Sequence, residues 1–339
     1  MSFVAHPRLR NGHLMTIYAW ARPRRFPDLP PPTSRYFDVA EDARVLAHCQ
    51  WQREPRQATT LLCLHGLEGS STAHYMCGLA EKAFAAGFNV VRLNQRNCGG
   101  TEELSAGLYH SGLTGDPRTV IDELRSIDRL PAIVIAGYSL GGNLAVKLAG
   151  EYGAAAPREL LGVAAVSPII EVAECVRALE RRSNIVYELN FVWNLKARMR
   201  RKHKAWPGKY PIERLSLVRS VRSFDDVFTA PHFGFKDADD YYYRASAMRV
   251  VDQVQVPALI IAAKDDPFVP WQPFQDPRVT GNPNITVELS EHGGHCAFVG
   301  EKGAPGKDEY WAEHRVIEFA SALREAAART SDQSPAPRA

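Results

Sequence analysis

The chain has 339 residues, a formal charge of +3, 45% hydrophobic residues and six cysteines. That length accommodates two average domains or one α/β domain carrying an insertion, and the apolar content is ample for a large core. So small a charge excess gives no drive toward nucleic acid, no window approaches a membrane span, and the cysteines at 49, 63, 77, 98, 175 and 296 lack the spacing of a disulfide or zinc framework.

The opening Met1-Ser2-Phe3-Val4-Ala5-His6-Pro7-Arg8 has no apolar signal core, so a cytoplasmic setting with free thiols is expected; peripheral membrane contact stays open. Residues through about 60 begin rich in proline and arginine (Arg22-Pro23-Arg24-Arg25, Leu29-Pro30-Pro31-Pro32), which predicts an extended arm followed by early strands. From Thr60 onward strands and helices alternate. A strand over 61–64 precedes a helix near 73–86, a strand over 89–94 precedes a helix near 117–128, and a strand from Ile133 leads to a helix through about Tyr152. Another strand follows over 161–167. Near-continuous apolar strands separated by helices indicate a mostly parallel sheet covered on both faces.

Three strand ends carry chemistry. Ile133-Val134-Ile135-Ala136 opens into Gly137-Tyr138-Ser139-Leu140-Gly141-Gly142, a G-x-S-x-G elbow in the strand–turn–helix context that gives the motif its meaning. Glycines at 137 and 141 remove the collisions that so sharp a turn would otherwise produce. A serine hydroxyl needs a base, and the base needs an orienting acid. The strand over 258–263 leads into Lys264-Asp265-Asp266-Pro267-Phe268-Val269-Pro270, and the strand over 285–289 leads into Glu291-His292-Gly293-Gly294-His295. This is the chain order of an α/β-hydrolase triad. Asp265 and Asp266 are adjacent, so only one can face the histidine. Asp266 is favoured because its D-P-x-V-P turn resembles the acid loop of many such enzymes, and Asp265 is the runner-up. His295 follows two glycines and is preferred over His292, which reads as a loop or surface residue. The early strand opens into His65-Gly66-Leu67-Glu68-Gly69-Ser70, which assigns the oxyanion hole to the amides of Leu67 and Leu140. His65 itself reads as a structural loop histidine.

The alternation stops between about 168 and 250, where α/β-hydrolases commonly insert a cap. This stretch carries a basic run (Lys196, Arg198, Arg200, Arg201, Lys202, Lys204, Lys209), expected to form a solvated helix face, with contact to anionic head groups or acidic substrates as the rival reading. Phe191, Trp193, Leu195 and Met199 are expected to supply an apolar face. The closing stretch 311–328 shows helical spacing. The expected division is therefore core over 1–168 with its arm, cap over 169–250, core again over 251–328, and a disordered tail over 329–339.

These motifs resemble those of YheT-like α/β-hydrolases. The resemblance rests on His6-Pro7-Arg8-Leu9-Arg10-Asn11-Gly12-His13, His65-Gly66-Leu67-Glu68-Gly69-Ser70, Leu108-Tyr109-His110-Ser111-Gly112, Ser223-Phe224-Asp225-Asp226 and Ala263-Lys264-Asp265-Asp266-Pro267-Phe268. It covers nearly all of the chain except the tail. It implies an α/β-hydrolase fold with a mainly helical cap and a serine carboxylesterase with Ser139, Asp266 and His295 as triad. It also implies a small-molecule or lipid ester as substrate and no cofactor or metal. Asp225 and Asp226 read as loop-organising residues. Where many relatives have Arg-Gly, this chain has Gln95-Arg96-Asn97-Cys98-Gly99-Gly100, and Asn97 is the non-glycine type that best tolerates a left-handed backbone. An acyltransferase with the same triad and a non-catalytic binding protein on a hydrolase fold are the competing functions.

Overall fold

The computed structural model describes residues 2–301 and 308–332. Eight strands make one sheet: β1 (Thr33–Ala40), β2 (Ala43–Gln50), β3 (Thr60–Leu64), β4 (Asn89–Leu93), β5 (Ile133–Tyr138), β6 (Leu160–Val166), β7 (Ala258–Ala263) and β8 (Ile285–Ser290). Their order is β1-β2-β4-β3-β5-β6-β7-β8; β1 and β2 run antiparallel at one edge and every pair from β4 to β8 is parallel.

Strand periodicity builds the two cores. In β3, Leu61 and Cys63 point to one face while Leu62 and Leu64 point to the other, and β5, β6 and β7 repeat the alternation. Helix α2 (His74–Ala85) and the closing helix Trp311–Asp332 seal the first face through Met76, Leu79, Val316 and Ala320. Helices α3 (Gly115–Ser126) and α4 (Leu140–Tyr152) seal the second through Val120, Ile121, Leu124 and Leu144. Both faces of the central strands are thus buried, which is why their sequence reads as unbroken apolar runs. Truncating one such residue, for example Ile260→Ala, would cost about 2–5 kcal/mol.

Two expectations are corrected at the ends. The arm is not extended throughout: residues Gly12–Ala21 form helix α1, capped by the Asn11 side chain accepting from Leu14 N. The closing helix continues to Asp332, beyond the expected boundary at 328; the remainder of the expected tail, 333–339, lies outside the described residues.

Between β6 and β7 the chain forms a mainly helical insertion, with α5 (Val172–Leu179), α6 (Ile185–Ala205), short turns over Val221–Phe233 and a helix at Ala238–Ala245. Helix α6 sorts its side chains differently from expectation. Leu195 and Met199 are buried and Phe191 partly so, but Trp193 faces solvent. The basic run divides as well, with Arg198 and Lys202 buried while Arg200, Arg201 and Lys204 are exposed. Lys202 Nζ donates to Asn97 Oδ1 at 2.7 Å and to the carbonyls of Glu102 and Ser105, which supply its hydrogen bonds while burial still lowers its pKa to about 7. Asn97 adopts φ +64°, the left-handed turn its side chain tolerates. Among the described residues no helix is long and apolar enough to cross a membrane.

Candidate active site

The elbow is a strained turn. Ser139 has φ +53° and ψ −114°, and its half-buried side chain stands between β5 and the first residue of α4. A Cβ at Gly137 would lie 2.1 Å from Gly141 O, and one at Gly141 would lie 2.3 Å from Leu64 O. Only glycine fits either position, so the tight strand-to-helix turn exists because of those two residues.

The loop after β7 and the loop after β8 meet at the same carboxyl edge of the sheet, where open α/β sheets bind ligands. Asp266 Oδ2 pairs with His295 Nδ1 at 2.8 Å; the aspartate side chain is 1% exposed and the histidine 12%. Asp266 Oδ1 accepts from Phe268 N and Val269 N at 3.1 and 2.9 Å, so the carboxylate is fixed by its own turn. The neighbouring Asp265 points elsewhere, to His292 Nδ1 at 3.3 Å and to Gly294 N at 2.9 Å. Burial presses the His295 imidazole toward neutrality, but the facing Asp266 carboxylate and the Cys296 thiol outweigh it and hold the pKa above the ordinary value. The Phe268 ring packs on His295 with centroids 4.1 Å apart.

Helix α1 buttresses these loops from outside. His295 N donates to Thr16 Oγ1 at 2.8 Å, and Thr16 in turn donates to Gly12 O at 2.7 Å. A Cβ at Gly12 would come within 1.8 Å of Asp265 O, so α1 approaches the acid loop as closely as backbone permits. The arm motif thus packs directly against the loop that carries the histidine. Sequence reasoning did not assign Thr16 any role, and nothing short of the fold identifies it.

Opposite the serine, Leu67 occupies the turn after β3. The Leu67 amide makes no hydrogen bond among the described residues, and Leu140 opens α4, where amides lack intrahelical partners. His65 is fully buried: Gln95 N donates to its Nε2 at 3.1 Å, so the proton sits on Nδ1, which donates to Gly66 O at 2.7 Å. Burial lowers its pKa to about 4, which keeps it neutral. Glu68, at φ +56°, takes a bond from Arg198 Nε on α6 at 2.7 Å and another from Tyr109 Oη at 3.0 Å. Both members of the Arg198–Glu68 pair are under 10% exposed. The pair joins the insertion to the turn beside Leu67, a contact that spans 130 positions of sequence and left no local signal.

Ser139, Leu67, Leu140 and Phe268 line one cavity. Its walls are mostly apolar and come largely from the insertion, including Val172, Val176, Leu179, Phe191 and Leu195. Asp225 also faces it, but both its oxygens are engaged, accepting from Thr229 and Tyr242 hydroxyls at 2.7 and 2.8 Å. Asp226 accepts from Ala238 N at 2.8 Å. Both aspartates therefore organise the insertion. Among the described residues no cluster of side chains has the makings of a metal site. Ser139 makes no side-chain hydrogen bond among the described residues, and His295 Nε2 is the ring nitrogen left free by Asp266.

The sheet order, the strained serine turn and the convergence of loops at one edge define a class, and comparison with known families agrees: the chain belongs to the alpha/beta hydrolase fold family, whose model matches residues 59–302. The more particular resemblance read from the motifs extends along the chain. An Escherichia coli (strain K12) protein named "Putative esterase YheT" is 36% identical over 282 residues, 81% of either chain. Mouse (Mus musculus) "Phospholipase ABHD3" is 29% identical over 241 residues, which span 71% of this chain and 58% of the mouse protein. Among solved structures, the Pyrococcus furiosus esterase Pf2001 matches with a TM-score of 0.59 at 16% identity, over 95% of this chain and 100% of that one, a likeness of fold.

Proposed function

We propose that this chain is a serine hydrolase that cleaves carboxylic esters, of short to medium acyl chains or of lipids, through an acyl-enzyme. The observation that carries this reading is the buried Asp266–His295 hydrogen bond beside Phe268, which lines the same cavity as the strained Ser139. Ser139 Oγ attacks the ester carbonyl carbon while its proton passes to His295 Nε2. The oxyanion is received by the amides of Leu67 and Leu140, the one without a hydrogen bond among the described residues and the other in the first turn of α4. As the carbon–oxygen bond breaks, the departing alcohol takes the proton from His295. Water then repeats the sequence, His295 accepting its proton, and the carboxylic acid leaves. Asp266 fixes the tautomer and favours the imidazolium that forms at each step. No cofactor enters this chemistry.

On this reading 169–250 is a cap over the core of 1–168 and 251–328, and its apolar side chains receive the acyl chain. Esterase and phospholipase names among the relatives support the ester class. The six unpaired thiols fit a reducing cytoplasmic setting.

The test is hydrolysis of p-nitrophenyl esters from short to long acyl chains, with wild type beside Ser139→Ala. Turnover is expected to fall by about six orders of magnitude in the variant, since triad members act as a unit. Equal turnover in the two proteins would overturn the assignment. Product made mostly as a new ester when an alcohol is added would make the chain an acyltransferase. Failure of a fluorophosphonate to label Ser139 would make it a binding protein.

A further inference from the structure

Helix α6 carries a feature that the ester chemistry does not use. Val186, Leu189, Trp193, Lys196, Arg200 and Lys204 follow one another in steps of three or four, so they lie within a sector of roughly 80° on the outer side of the helix. The first half of this stripe is apolar and exposed, with Val186, Leu189 and Trp193 at 68%, 57% and 67%. The second half is basic, and none of its three cations makes an ion pair among the described residues. The one acid of the helix, Glu188, is turned inward and buried.

Helix α1 continues the apolar half sideways. The His13 ring stacks on Tyr187 of α6 with centroids 5.8 Å apart, which brings the starts of the two helices together, and Leu14 and Ile17 stand exposed on α1. Helix α1 has no charged residue at all, and each helix is preceded by exposed arginine that makes no ion pair among the described residues: Arg10 before α1, Arg181 and Arg182 before α6. The exposed acid nearest α6 in sequence, Glu180, is paired to Arg222. Apolar side chains rimmed by cations that make no ion pair among the described residues, with no exposed acid on either helix, match the chemistry of an anionic phospholipid surface, where acyl chains lie beneath negative head groups. An aromatic path links this face to the site: Tyr187 packs on Phe268 at 5.3 Å, and Phe268 on His295 at 4.1 Å.

We propose that the outer faces of α1 and α6 form a docking surface for anionic phospholipid bilayers, with Leu189 and Trp193 entering the acyl region and Lys196, Arg200 and Lys204 lying on the head groups. Docked in this way, the start of α6 brings the route toward Ser139 to the lipid side. The surface stands apart from the ester chemistry and holds or fails without it.

The experiment is flotation of the full chain with vesicles of phosphatidylcholine, with and without phosphatidylglycerol. Wild type is expected to float with the phosphatidylglycerol vesicles and to be released by salt. Leu189→Ser/Trp193→Ser should weaken binding about tenfold or more, since it removes the apolar contribution. Arg200→Glu/Lys204→Glu should weaken binding to phosphatidylglycerol vesicles by at least about tenfold, at about 1 kcal/mol per charge near the surface. Matching thermal melting curves verify that the variants are folded. Absence of wild-type flotation with either vesicle, or equal flotation by both variants, overturns the proposal. So does a dimer seen by light scattering in wild type and lost in Leu189→Ser/Trp193→Ser, which would assign the face to a second copy of the chain.

Discussion

Asp265 and Asp266 are neighbours in the chain, each paired with a histidine from the loop after β8, and the two pairs live in different environments. Asp266–His295 is sealed, at 1% and 12% exposure, whereas Asp265–His292 is open, at 20% and 39%. Composition cannot distinguish them. What separates them is that consecutive side chains diverge, so one carboxylate turns inward to His295 and its own turn's amides while the other turns to His292 and Gly294 N. In low dielectric a charge pair acts strongly on the protonation of its members; at the surface water screens it. Pairing with a histidine supplies only half of a candidate-site assignment, and exclusion of water supplies the rest.

The sharpest way to break this comparison is to neutralise each aspartate in turn. Asp266→Asn is expected to lower kcat on a p-nitrophenyl ester by about four orders of magnitude, through the wrong imidazole tautomer. Asp265→Asn should change kcat by less than about tenfold, since it loses only an exposed pair and one loop bond. Equal losses in the two variants would erase the distinction. If burial is what gives a pair its weight, another sealed pair must also respond strongly. Arg198→Met leaves Glu68 buried without its cation, and should lower unfolding free energy by about 3–5 kcal/mol in a denaturant titration. A loss under about 1 kcal/mol would place Arg198–Glu68 with the surface pairs despite its burial.

The smallest effect is a shift in pH dependence. Because Asp266 holds the His295 pKa above its ordinary value, the rising limb of kcat/KM, which follows loss of that proton, should lie on the alkaline side of the usual histidine range. Removing the carboxylate leaves burial, which favours the neutral ring, so the residual activity of Asp266→Asn should show its limb moved toward acid. Asp265→Asn should leave the limb in place. A limb that does not move in Asp266→Asn would mean that another group sets it.

Much of this was legible in the sequence, for reasons that can be named. The strand over 258–263 was read at its observed bounds because a doubly covered parallel strand must be apolar at every position. The elbow was legible because its strand–turn–helix geometry recurs as a motif, even though Gly141 answers to Leu64 of β3 as well as to its own turn. Helix α1 was not, because Gly12–Ala21 is apolar almost all round and has no polar face to reveal a period, while the prolines after it suggest an extended chain. The directions of Trp193, Arg198 and Lys202 were not legible either. The groups that receive the two cations, Glu68, Asn97, Glu102 and Ser105, lie about a hundred positions earlier in the chain. A helix face is chosen by what it meets, and distant partners leave no local period.

The bond from Arg198 to Glu68 also orders events in time. The turn that holds Leu67 leaves the ribosome well before α6, and Ser139 before either loop that would serve it. Until the insertion docks, Glu68 lacks its cation, and until β7 and β8 close the sheet, Ser139 stands without the Asp266–His295 pair. On the proposed chemistry a half-made chain carries its nucleophile unarmed: the last strands to be synthesised complete the reactive centre, so a truncated or partly folded product would not hydrolyse the esters around it.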